Sequence, residues 1–145
     1  MWLERRNVGA LGAAILAGIG IGAGAHFSDG RADAAKGESV TTVFEYELPN
    51  LPRQKMTGVL VRVEPGSSSS HHHTTKGSVV AYMLEGALRS KVNDGPEKVY
   101  RAGESWIEPP GATHSVNANV SASEPAMLLA VFVAEDGAEL TTYDK

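Results

Sequence analysis

From residue 40 onward, apolar and polar side chains alternate instead of recurring every third or fourth position. The clearest case is 57–64, where Val59, Val61 and Val63 share one face and Arg62 and Glu64 take the other. A period of two is the signature of a strand with one buried face. Residues 41–48 carry Val43, Phe44 and Tyr46, good strand formers, before the proline-bounded stretch 49–52 breaks the run. Further strands are predicted at 79–84, 87–92, 97–100, 105–108 and 114–116. Glu85-Gly86, Asn93-Asp94-Gly95-Pro96 and Arg101-Ala102-Gly103 punctuate them, and the second of these is a strong turn signal. The stretch 126–134 is apolar at every position and predicts a strand buried on both faces. Many short strands and no helical period predict an all-β barrel or sandwich.

The chain ahead of residue 40 has a different character. Arg5 and Arg6 precede 8–25, an unbroken run of Gly, Ala, Ile, Leu and Val. A charged start followed by an apolar stretch reads as an export signal, with small-residue exits at Ala25 and Ala34. The alternative is an uncleaved anchor, since the run reaches the length that can span a bilayer. Residues 1–25 are therefore assigned to a signal peptide or membrane anchor, 26–39 to a linker and 40–145 to the folded domain. Either way the domain is expected outside the cytoplasm. It would be periplasmic or secreted, or held at the inner membrane facing outward, with a membrane partner only if the segment stays uncleaved.

Composition narrows the chemistry. A net charge of -4 without a basic stripe argues against nucleic acid as a partner. There are no cysteines, so disulfides, thiolate metal sites and cysteine nucleophiles are excluded. A metal would need nitrogen and oxygen ligands. Four of the five histidines fall in two places: His71-His72-His73, and His114 at the end of Pro109-Pro110-Gly111-Ala112-Thr113-His114. Imidazole is the commonest protein ligand for transition metals. Histidines from two distant segments therefore point to one centre. The serines 67–70 followed by three histidines look like a tag fragment. A tag lies at a terminus, however, and this stretch sits between two predicted strands. His26 lies in the linker and carries no role.

The residues around these histidines resemble the cupin superfamily. Its second motif runs G(X)5PXG(X)2H(X)3N. Here Gly103 leads through Glu104-Ser105-Trp106-Ile107-Glu108 to Pro109-Pro110-Gly111 and His114, with Asn119 one place late and Asn117 as its alternative. The first motif runs G(X)5HXH(X)3,4E(X)6G and is matched at its edges by Gly66 and by Tyr82-Met83-Leu84-Glu85-Gly86. Strict counting puts His72 and Thr74 at the two histidine positions and Val79 at the glutamate position. A shift of one residue within the loop instead gives His71-x-His73, the preferred reading.

The resemblance implies a small single-domain barrel of the double-stranded β-helix (jelly-roll) type, similar to bacterial members of the family. It also implies a divalent transition metal: Zn, Fe, Mn, Ni or Cu. On the preferred reading the ligands are His71, His73 and His114, with His72 as an alternative ligand. Residues i and i+2 of an extended segment share a face, so His71 and His73 could both aim inward. Three neutral imidazoles would leave the ion's charge uncompensated and favour an anionic ligand. Tyr82, Met83, Trp106 and Glu108 are candidates for the pocket lining. The expected function is to act on, or hold, a small molecule. If the protein is an enzyme, metal-dependent oxygenation, isomerisation or hydrolysis is implied. The alternatives are a non-catalytic binding or sensing module and a structural barrel with a vestigial site. Small domains of this kind are candidates for pairing as homodimers.

Overall fold

The computed structural model describes residues 37–143, apart from 69, 70 and 75. Ten strands follow in order: β1 (Glu38–Glu47), β2 (Gln54–Val63), β3 (His72–Thr74), β4 (Ser78–Glu85), β5 (Ala87–Val92), β6 (Lys98–Arg101), β7 (Ser105–Glu108), β8 (Thr113–Asn119), β9 (Ala126–Glu135) and β10 (Thr141–Tyr143). They form two five-stranded antiparallel sheets, β1-β2-β9-β4-β7 and β10-β3-β8-β5-β6. No helix occurs among the described residues. This is the all-β, two-sheet arrangement expected of a jelly roll. The expected signal or anchor at 1–25 lies outside the described residues, as does most of the linker. Strand β1 begins at Glu38, two places before the expected start of the domain.

The period-two pattern decides what is buried. In β2, Val59, Val61 and Val63 enter the core, and Arg62 stays in solvent. In β4, Val79, Ala81 and Met83 point in, while Val80, Tyr82 and Leu84 point out. Leu88, Trp106, Ala126, Leu128 and Ala130 complete the same cluster. Strand β9 departs from expectation. Ala126, Leu128 and Ala130 are buried, but Met127, Leu129 and Val131 on the other face are only partly covered. Nothing among the described residues packs as a layer over that outer face.

Short strands follow where turns allow. Gly86, at φ +70, joins β4 to β5, and an added Cβ there would lie 2.8 Å from the Pro125 carbonyl oxygen. Strands β3 and β10 have three residues each and gain their definition from pairing. Tyr143 faces His72 across one side of β3, and His114 faces it across the other.

The family-motif asparagine is a structural clamp. Asn119 is buried, and its Nδ2 donates to the carbonyls of Val63 (3.1 Å) and Glu124 (2.9 Å). Its Oδ1 accepts from the Ser121 amide at 2.9 Å. One side chain thus ties the end of β2 to the β8–β9 loop. Asn119→Ala would leave those backbone groups without partners and is expected to cost about 2 kcal/mol in urea unfolding.

Candidate metal centre

His72 and His114 are direct cross-strand partners on β3 and β8, which places both side chains on the same sheet face. That face looks into the barrel. His114 is 2% exposed, and Thr74, two places after His72, is 1% exposed. Parity then turns His73 outward, where its Nδ1 lies 3.0 Å from Thr113 Oγ1. His71 precedes β3 and is exposed. The preferred ligand pair, His71 and His73, is therefore not the pair that this register turns inward. The inward histidine is the alternative, His72, in the strict alignment that leaves Thr74 at the second histidine position.

The opposite sheet supplies a carboxylate. In β7, Trp106 and Glu108 alternate inward around the exposed Ile107. Glu108 Oε1 lies 3.2 Å from His114 Nδ1, and Oε2 lies 3.8 Å from His72 Nε2. The two imidazole nitrogens are 3.2 Å apart. Ligand atoms of His72, Glu108 and His114 all fall within 4.8 Å of one another, so this cluster could hold a metal ion. The family glutamate position, Val79, is buried in the chamber wall and offers no ligand. Glu108 brings a carboxylate to the centre from a different strand. With that charge present, the expectation of an anionic ligand loses its basis.

Each member is oriented by neighbours. Thr74 Oγ1 donates to Glu108 Oε2 at 2.7 Å, and Trp106 Nε1 donates to Oε1 at 3.1 Å. Ser90 Oγ, itself 2% exposed, lies 2.8 Å from His114 Nε2. A proton on Nε2 can rest on that hydroxyl, which leaves the Nδ1 lone pair aimed at the cluster. Gly111, at φ +76, turns the chain between β7 and β8, and its amide donates to the Thr74 carbonyl at 2.8 Å. The Pro-Pro-Gly motif thereby fixes Glu108, His114 and Thr74 relative to one another.

Burial alone would push the Glu108 carboxyl up. Hydrogen bonding from His72, the charge of His114 and the Thr74 hydroxyl together outweigh it and bring it down to about 2. Burial lowers His114 to about 4, against the opposing pull of Glu108. At neutral pH the cluster is thus a carboxylate beside an uncharged imidazole, the protonation state that metal binding requires. His72 Nδ1 is buried without a hydrogen-bond partner among the described residues. This donor set, two imidazole nitrogens and one carboxylate, fits a divalent transition metal. Ser90→Ala would free the His114 ring to rotate or change tautomer, and is expected to weaken zinc affinity about 10-fold in chelator competition.

The cluster sits in a cavity of about 80 Å³ with Val61, Val79, Ala81, Leu128 and Phe132 in its walls. Asn117 faces the same space, and Glu38 and Tyr143 also line it. Burial first, and then the Glu38 charge, raises the Tyr143 hydroxyl above its ordinary value and keeps it protonated. No Lys or Arg lines the cavity among the described residues. Of the four expected lining residues, Trp106 and Glu108 are in place. Met83 is fully buried in the core rather than at the cavity, and Tyr82 is 44% exposed on the outer sheet face. Neighbouring residues of a strand point to opposite faces, so Tyr82 and Met83 could not both have lined one cavity. Thr74 and Asn117 fall at family motif positions in the sequence, but Ser90 was not anticipated. For Ser90 the signal was available: it alternates with Leu88 on the inward face of β5.

Comparison with known proteins agrees with this geometry. Residues 59–132 match the family described as cupin domain. No curated protein matches. Among solved structures, the protein TT1209 from Thermus thermophilus is 29% identical, with a TM-score of 0.54 over 67% of this chain and 83% of that one. An uncharacterised conserved protein with a double-stranded β-helix domain from Klebsiella pneumoniae has a TM-score of 0.59 at 20% identity, over 74% of this chain and 84% of its own. An oxalate oxidase in complex with the substrate analogue glycolate has a TM-score of 0.58 at 18% identity, and this chain spans 55% of its length. The last two likenesses are of fold alone. With half of its length matched to the family and the family's second motif placed on the strands that carry Glu108 and His114, this chain belongs to the cupins.

Proposed function

We propose that this protein is an exported cupin that binds one divalent transition metal through His72, Glu108 and His114 and uses it to capture a small molecule in the barrel. The observation that carries the reading is the convergence of those three side chains in a cavity walled mainly by apolar residues. Two histidines and one carboxylate form the donor set typical of non-haem Fe(II) sites with open positions, so iron is the first metal to test. Bound there, the ion would supply Lewis acidity and sites for ligand oxygen atoms.

The chain's own residues set what can bind. A cavity of about 80 Å³ admits a molecule of a few heavy atoms, since one water needs about 10–15 Å³ on that scale. The valine, alanine and phenylalanine walls favour an apolar body and exclude water. With no Lys or Arg in the described lining and with Glu38 and Glu108 present, a dianion is disfavoured. A neutral molecule with one metal-binding oxygen fits best, and Tyr143 or Asn117 in the same lining could hydrogen bond to it. Oxygenation is the enzymatic reading that this donor set favours. A non-catalytic binding module is the second reading. It is favoured because the described lining offers no acid–base group beyond the three cluster residues, Glu38 and Tyr143.

Metal analysis of protein isolated without an affinity tag tests the proposal. The expected result is one iron or zinc per chain in the wild type and none in His114→Ala. Metal-free wild type that also fails to take up added iron or zinc would end the reading. Export rests on the apolar run at 8–25, and the mass of the protein recovered from the periplasm or medium would show whether cleavage follows Ala25 or Ala34.

A further inference from the structure

The two sheets have two pairs of edges. Strands β1 and β10, which carry Glu38 and Tyr143, are one pair, and β6 and β7 are the other. No ladder joins β6 to β7. Trp106 on β7 instead meets Tyr100 on β6, with ring centroids 4.8 Å apart. Beside that pair lies a pocket of about 300 Å³, larger than the metal cavity. Val92, Pro96, Tyr100 and Ile107 give it apolar walls, and Lys98 is the one charged residue in its described lining. Glu97, next in sequence to that lysine, is matched by Arg89 at 3.1 Å.

The deepest members of this seam pocket are Ser90, 2% exposed, and Trp106, 8% exposed. Both also touch the metal cluster. Trp106 Nε1 donates to Glu108 Oε1, and Ser90 Oγ lies 2.8 Å from His114 Nε2. The two hollows therefore share a wall built from the residues that orient Glu108 and His114. Their charge preferences are opposite. The described lining of the metal cavity holds Glu38 and Glu108 and no Lys or Arg, whereas that of the seam pocket holds Lys98 and no carboxylate.

We propose that the seam pocket is a second binding site, for a small aromatic carboxylate. The register supports this class of ligand. Ser90 and Lys98 are cross-strand partners on β5 and β6, so their side chains share a face and one carboxylate can reach both. Tyr100, two places after Lys98, lies on that same face and with Trp106 offers rings for an aromatic body to pack against. Ser90 also links the site to the metal centre, a consequence that rests on the metal reading above. With the Nε2 proton of His114 resting on Ser90 Oγ, the Ser90 hydroxyl has no acceptor of its own among the described residues. A bound carboxylate supplies one. The resulting chain from carboxylate through Ser90 to His114 makes Nδ1 a better donor to a metal.

Equilibrium dialysis of the full chain against labelled benzoate, after removal of metal with EDTA, tests the site. One benzoate per chain is expected. Lys98→Gln, or benzamide in place of benzoate, should weaken binding about fivefold. Acetate, which has no ring, should bind at least roughly tenfold more weakly. Arg101→Gln, on the outward face of β6, should bind benzoate like wild type. Saturating benzoate should tighten zinc about fivefold in chelator competition, and zinc should tighten benzoate by the same factor. Ser90→Ala should abolish that coupling. No benzoate uptake, or uptake indifferent to Lys98→Gln, would overturn the proposal. Zinc tightening that persists in Lys98→Gln would place benzoate on the ion itself and overturn it as well. Benzoate bound as expected by a chain that takes up no zinc would support the pocket and end the metal reading instead.

Discussion

Replacing Glu108 with glutamine is expected to weaken binding of Zn(II) or Fe(II) by at least roughly 100-fold, and alanine is expected to abolish it. Glu108 is the only anion in the three-residue cluster. Without it, a divalent ion would be held by two neutral imidazoles alone, with Glu38 in the lining as the remaining carboxylate to offset its charge after it leaves water. An amide keeps the shape and can still accept from Thr74 or Trp106, so the glutamine variant isolates charge from packing. Titration against a competing chelator reads the effect. Glu85→Gln, which alters an exposed carboxylate, is the control and should match wild type. A glutamine variant that holds metal within roughly threefold of wild type would remove Glu108 from the ligand set and return the site to histidine alone.

That carboxylate also marks where sequence reasoning reached its limit. Strand positions were legible wherever alternation was long. The β2 valines and both ends of β5 and β7 follow directly from it. The second family motif placed His114 without ambiguity. Three adjacent histidines, by contrast, carry no parity of their own. Their register is fixed by hydrogen-bonded partners, Tyr143 on one side and His114 on the other, both more than forty residues away. Strand β10, which supplies one of those partners, is too short to show as a pattern. Glu108 is legible as a lining candidate that could supply a carboxylate, but a four-residue strand leaves its inward or outward direction open. The clue lay in Trp106-Ile107-Glu108. If the tryptophan is core, the glutamate two places on must be inside as well.

Lowering the pH should destabilise the metal-free protein in two steps, and both have the same sign. His114 titrates at about 4 when folded and at its ordinary value of 6.5 when unfolded. Between those values the unfolded chain binds the extra proton, so stability rises with pH and is lost as pH falls from 6.5 to 4. The depression corresponds to a loss on the order of 3 kcal/mol. Glu108 goes from 4.5 unfolded to about 2 folded. Its contribution is complete above 4.5 and is lost as pH falls toward 2. The two together approach the total stability of a typical domain, about 5–15 kcal/mol, so the apo protein should unfold in acid before Glu108 is protonated in the fold. Urea unfolding of apo wild type and of apo His114→Asn, at pH 6.5 and at pH 4, separates the first step. Wild type should lose about 3 kcal/mol more than the variant across that interval. Equal losses would mean that the His114 ring is not held neutral by burial. Added zinc should shift the wild-type transition to lower pH, because protons and metal compete for the same nitrogen and carboxylate oxygens. It should do nothing for His114→Asn.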